Sequence, residues 1–219
     1  ESSFHLNQLN YKKDVGQNAQ VDLNLDLFSD KYILIKSLDY SDGKSKIILN
    51  KIKLNNNSEI VDLNDLKIKT YIKDVKNNDF SIKKSDKIVM LGEVFDAQPI
   101  FKSLFKNDDK KTFSNRFNSE ISVKVKKIIS GTGDEVFDLT IIASIKEGSY
   151  SKLSLKGNFS ESEIVEMSIY QIDKDTKTLQ VISDRARPFI KNFDFIEGFE
   201  DGKLVYESNI LKKKSFSNL

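Results

Sequence analysis

Along most of this chain hydrophobic and polar residues alternate with a period of two. In QVDLNLDLF (20–28), Val21, Leu23, Leu25 and Leu27 fall on one side and Asp22, Asn24 and Asp26 on the other. That pattern predicts a half-buried β-strand, because successive side chains of a strand point to opposite faces. KYILIKSLDY (31–40) follows a Ser29-Asp30 turn signal, and KSKIILNKIKL (44–54) follows SDG. LKIKTYIKDV (66–75) sets Leu66, Ile68, Thr70 and Ile72 against Lys67, Lys69, Tyr71 and Lys73. DKIVMLGEVF (86–95) is more continuously apolar and predicts a central strand.

The period then changes. In DAQPIFKSLFKNDDKK (96–111), Asp96 suits an N-cap and Pro99 the first turn, while Ile100, Phe101, Leu104 and Phe105 recur at helical spacing. Lys102 and Lys106 suit the C-terminal end of the dipole. A short amphipathic helix is expected near 99–107. NDDKKTFSNRFNS (107–119) is polar and irregular, and reads as a linker or loop. Strand patterns resume at 120–130, 136–146, 150–159, 163–173, 178–183 and 204–208, with turn residues between them.

About ten to twelve strands without interleaved helices predict an all-β, mainly antiparallel fold of β-sandwich architecture. Two divisions fit. In one, an N-terminal extended segment (1–18) precedes two tandem sandwiches, 19–112 and 118–211, and a tail at 212–219. In the other, a single sandwich spans 19–211.

Composition narrows the chemistry. The chain has 219 residues, 38% of them hydrophobic, enough to build a core. Lys plus Arg number 35 against 33 Asp plus Glu, and the signs are interspersed. No basic block tracks a phosphate backbone, so nucleic acid is not expected as a partner. The absence of cysteine excludes disulfides, thiol catalysis and Cys-ligated metal. The single histidine, His5, cannot supply a multi-His zinc site, and a Ser-His-Asp triad would depend on it alone. No metal, cofactor or catalytic residue is expected, and the protein is read as a non-enzyme. No apolar run is long enough for a membrane helix.

Candidate sites are few. ISGTGDEVF (129–137) has the glycines of a phosphate loop, but a strand follows where a helix is needed, so it reads as a hairpin turn. SDGK (41–44) and EDGK (200–203) also read as turns, without the ligand ladder of a calcium loop. The sharpest feature is SDRARPFIK (183–191). Only three arginines occur, Arg116, Arg185 and Arg187, and two of them stand here beside Pro188. If the preceding strand continues, Arg185 and Arg187 share one face, with Asp184 and Ala186 on the other. A guanidinium grips carboxylates bidentately and tolerates burial better than an ammonium. Arg185 and Arg187 are therefore either an anion- or partner-binding site or an internal clamp on a neighbouring strand.

The preference for Lys over Arg, the abundant Asn and Ile, and runs such as LNKIKLNNNSEIVDLNDLKIK and KIVMLGEVF resemble surface lipoproteins of Borrelia-type spirochaetes. The polar start ESSFHLNQLN fits a lipoprotein ectodomain cut just after its lipidated cysteine. The resemblance implies an extracytoplasmic protein at the cell surface or in the periplasm, held by a lipid anchor and without a transmembrane segment. Its expected role is a binding or assembly module with a protein partner in the envelope or host. The alternatives are a carboxylate-based carbohydrate-active hydrolase and a small-ligand or lipid carrier.

Overall fold

Short turns with unusual backbone angles set the strand boundaries. The Asp42 carboxylate accepts hydrogen bonds from the Lys44 and Ser45 amides (3.0 and 2.6 Å), and Gly43 takes φ +89°. This is an Asx turn that a glycine completes. Lys73 and Asp74 both have positive φ, 46° and 67°, between the paired Ile72 and Val75. That is a two-residue primed turn, whose twist matches the strands it joins. Asn55 closes another turn by accepting from the Asn57 and Glu59 amides.

A computed structural model describes residues 3–28, 31–99, 114, 117–131, 133–147, 149–173, 176–190 and 202–211. A short hairpin comes first, β1 (Phe4–Leu6) and β2 (Tyr11–Lys13), joined by one 3-10 turn at Asn7–Leu9. Twelve longer strands follow. They are β3 (Gln20–Phe28), β4 (Tyr32–Ser41), β5 (Lys46–Leu54), β6 (Ile60–Ile72), β7 (Val75–Lys84) and β8 (Ile88–Asp96), then β9 (Ser119–Ile129), β10 (Glu135–Lys146), β11 (Ser149–Asn158), β12 (Ile164–Gln171), β13 (Thr176–Ser183) and β14 (Leu204–Leu211). A four-residue helix, α1 (Arg187–Ile190), lies between the last two.

The fold is all-β and mainly antiparallel. Hydrogen bonding joins all twelve long strands into one sheet, in chain order from β14 to β3, instead of dividing them between two sheets. Each long strand pairs with the next in the chain, antiparallel in every case except β8–β9, which run parallel. A parallel pair needs a crossover connection, and residues 97–118 supply it. The helix expected near 99–107 falls in this stretch and, apart from its first residue, outside the described residues.

The register places the apolar residues of neighbouring strands opposite one another. Ile47 pairs with Ile68, Ile68 with Phe80, Met90 with Val123, Val123 with Ile141, and Met167 with Val181. One face of the sheet is therefore apolar from edge to edge. Three groups of residues cover it in part. The β1–β2 hairpin packs Phe4, Leu6, Leu9 and Tyr11 against Tyr40, Ile47, Ile68 and Phe80. Phe117, from the crossover, seats among Ile52, Leu63, Ile88 and Ile145. Ala97, Phe159 and Phe189 pack with Val123, Val125, Ile128, Val136, Leu139 and Val165.

The hairpin is fastened by buried polar groups. Asn78 donates from Nδ2 to the Leu9 carbonyl (2.8 Å), and Asn77 donates to the Leu9 and Asn10 carbonyls (3.2 and 3.3 Å). Asn10 in turn donates to Asp96 at 2.8 Å. Buried amides tolerate such positions only when paired.

Candidate functional site

Arg185 and Arg187 lie just past the end of β13, where the chain leaves the sheet. Both reach back to the turn between β9 and β10. Arg187 donates from Nε and Nη2 to the two oxygens of Asp134, each at 2.9 Å. Arg185 donates from Nη1 to the same carboxylate at 3.2 Å, and from Nε and Nη2 to Glu163 at 3.2 and 2.5 Å. Its guanidinium also lies over the Phe159 ring, 5.3 Å from the centroid. The Asp134 side chain is 1% exposed, against 31% and 43% for Arg185 and Arg187. Arg187 grips the buried carboxylate with its fork, and Arg185 joins the same carboxylate to Glu163, so the pair bridges three segments: the β9–β10 turn, the start of β12 and the β13–α1 crossing. Between the arginines Ala186 is fully buried, and its amide donates to the Gly202 carbonyl at 2.7 Å. Asp184, on the opposite side, accepts from the Ile164 amide at 2.9 Å and pairs with Lys203. The Arg185 guanidinium, with Ser160, holds the Glu163 carboxyl below the usual range.

Asp134 belongs to GTGDE, whose glycines read as turn residues; Gly131 and Gly133 indeed have φ +84° and +90°. Its partnership with the arginines links positions 51 and 53 residues apart, which local spacing does not reveal. Ser130 helps to hold the turn by donating to the Asp134 carbonyl at 2.5 Å.

Two concave regions flank the sheet. The first lies on its polar face. Here two successive residues leave the apolar face together in three adjacent strands, at Glu93-Val94, Lys126-Lys127 and Phe137-Asp138. Gly92, Val125 and Leu139 on one side, and Phe95, Ile128 and Val136 on the other, stay in register. Such bulges bend a sheet, and a groove of about 830 Å³ lies over them. Lys46, Lys67, Lys69, Lys124 and Lys126 line it, with Asp79, Glu93 and Asp138. Asp79 pairs with Lys76 at 2.6 Å and Glu93 with Lys126 at 3.0 Å.

The second concavity lies beside the hairpin and is lined by His5, Tyr11, Asp42, Tyr71 and Asp74 among others. Tyr11 Oη is 2.6 Å from Tyr40 Oη and donates to Asp42 Oδ2 at 2.5 Å. Burial, with the adjacent carboxylate, raises the Tyr11 phenol well above its ordinary value. Burial opposes ionisation of Asp42 also, but hydrogen bonds from Tyr11, Ser45 and Lys44 outweigh it and hold this carboxyl low. The arrangement fixes a charge; Tyr11 stays a donor throughout the physiological range.

A different kind of surface lies at one end of the sheet. Every residue of β3 except Asp26 is exposed. Val21, Leu23, Leu25 and Leu27, all on the apolar face, are 58%, 48%, 37% and 72% exposed. The β1–β2 hairpin, Phe117 and Phe189 pack farther along. β3 is also an edge strand, paired only with β4, so one row of its backbone N–H and C=O groups has no partner strand.

No group of three or more His, Cys, Asp or Glu able to hold a metal ion comes together among the described residues. No described helix is long and apolar enough to cross a membrane. No known protein family, curated protein or solved structure matches the chain.

Proposed function

We propose that this protein is a non-catalytic, extracytoplasmic bacterial envelope protein, held by a lipid anchor and acting as a binding or assembly module. The observation that carries this reading is the bare apolar strip on β3. Contiguous exposed apolar surface mostly marks an interaction site. Here it coincides with an unpaired strand edge, a template for main-chain hydrogen bonding to a partner. The envelope location and lipid tether rest on the resemblance of the lysine-, asparagine- and isoleucine-rich sequence to spirochaete surface lipoproteins. A partner seated on the strip would add, locally, the second layer that a β-sandwich has.

In this reading Arg185 and Arg187 act as a clamp, since both guanidiniums are engaged by Asp134 and Glu163. The carboxyl groups of Asp14, Asp42, Glu163 and Asp184 are each held below their ordinary values. A hydrolase would need one acid raised to act as a proton donor.

The test is capture of partners by the intact, membrane-tethered protein from envelope extracts and from host serum or matrix, read by mass spectrometry. The control is Leu27→Lys, which places a charge on the strip where the side chain is already exposed. A stoichiometric partner lost with Leu27→Lys is the expected result. Equal capture by both proteins, or turnover of a substrate, would overturn the proposal.

A further inference from the structure

Apart from the charges of Asp22 and Asp26, the latter paired with Lys36 at 2.8 Å, the edge of β3 lacks the features that keep sheet edges apart. Proteins guard such edges with lysine, proline, bulges or very short strands. β3 is nine residues long and contains no lysine or proline. Its register shift with β4 comes from the extra residue Lys36 in β4, so the alternation of β3 itself is unbroken. An edge left in this state calls for a strand of matching pattern.

We infer that the matching strand is β3 of a second copy, paired antiparallel about a two-fold axis through Leu23. Antiparallel pairing of identical strands keeps both apolar faces on one side when the two-fold passes through a residue. Three such centres, Leu23, Asn24 and Leu25, pair seven or more of the nine residues of the strand. Centred on Asn24, the pairing sets Asp22 against Asp26 twice, and like charges directly opposite are destabilising. Centred on Leu25, it pairs Leu25 with itself but sets Asp22 against Phe28. Centred on Leu23, it sets Leu23 against Leu23 and Val21 against Leu25 on the apolar face. On the polar face Asp22 then meets Asn24 and Asp26 meets Gln20, so each carboxylate faces an amide able to donate to it. The other sheet edge, β14, presents Glu207 on the same face as Val205 and Asn209, and offers no equivalent amide partner for both aspartates. The contact is isologous and closed, so it ends at a dimer.

This inference rests on the reading of β3 as an interaction surface, and names its partner. The chain has no cysteine, so single-cysteine variants of the full chain report on one pair each. Residues directly opposite across an antiparallel pair have Cα atoms about 4.5–5.5 Å apart, within the roughly 4.4–6.8 Å that a disulfide spans. Under mild oxidation Leu23→Cys should give a covalent dimer at least ten-fold faster than Asn56→Cys in the exposed β5–β6 turn. Sedimentation of the wild-type chain should show a monomer–dimer equilibrium that Leu23→Lys abolishes. Cross-linking by Leu25→Cys but not Leu23→Cys would overturn the Leu23-centred pairing. A wild-type chain that stays monomeric at all concentrations would overturn the dimer. If a foreign protein captured from the envelope then depends on Leu27, the proposed binding function stands and only the identity of the partner fails.

Discussion

Arg185 and Arg187 illustrate why a lysine-rich chain retains an arginine pair. Asp134 accepts from three nitrogens belonging to two side chains, a geometry that point-charge ammonium groups cannot reproduce. The double variant Arg185→Ala/Arg187→Ala leaves this carboxylate buried without either guanidinium. Breaking a buried pair from one side costs about 3–5 kcal/mol, and the partial solvation of the arginines favours the low end, about 3 kcal/mol. The lysine double variant keeps the charge and loses the fork, and should cost about 1.5 kcal/mol. Urea unfolding at neutral pH measures both; equal stability of all three proteins would remove the clamp. Asp42 adds a pH dependence. Its folded value lies below the ordinary 3.8, so its contribution is complete above that value and is lost as pH falls through the lower folded value. Asp42→Asn should therefore cost about 1.5 kcal/mol at pH 7, the worth of hydrogen bonds to a charge. The gap should shrink as pH falls below about 4. A gap that stayed constant down to pH 2 would contradict this assignment.

At the scale of elements, Gly92 in β8 tests how the central strands approach one another. A Cβ added there would lie 2.7 Å from Phe80 Cβ and 3.0 Å from the Asp79 carbonyl oxygen. Neither atom is the end of a flexible chain, so Gly92→Ala should destabilise by about 2 kcal/mol through overpacking. A neutral effect in thermal unfolding would mean that β7 and β8 separate freely. The strands themselves were legible where alternation was clean, as in β3 and β6, and the central place of β8 followed from its continuous apolar run. β7 was not legible, because KNND resembles a loop. Asn77 and Asn78 are buried there as clamps on the Leu9 and Asn10 carbonyls, partners about 68 residues distant. The turn at Lys73-Asp74 was hidden for a related reason: neither residue is a usual choice for positive φ. β3 shows a further limit. Alternation correctly divided its two faces, but it does not say whether anything covers the apolar one. Arg185 and Arg187 stood out by composition alone, whereas Asp134 lay unmarked within a glycine turn.

At the scale of the molecule, one sheet carries the chain in order from edge to edge, and the parallel β8–β9 pair lies at its middle. Met90 and Phe95 on β8 pack into the clusters on both sides of that seam, and Ile121 on β9 bridges two of the clusters. The centre is thereby held by packing and by ladders on both sides. The edges have one ladder each and, at β3, almost no cover. Local opening follows buried contacts and backbone pairing. Hydrogen exchange should therefore be slowest in β8, β9 and β10 and fastest in β3 and β14. The two edges should then part company as protein concentration rises. Pairing through β3 adds a second ladder to that strand, so its protection should increase with concentration while that of β14 stays the same. Free ligand bound in excess stabilises in proportion to the logarithm of its concentration, so a ten-fold rise well above the dimer dissociation constant should slow β3 exchange measurably. Uniform protection across the sheet would contradict the central anchoring. A concentration effect shared equally by β3 and β14 would point to association through some surface other than the β3 edge.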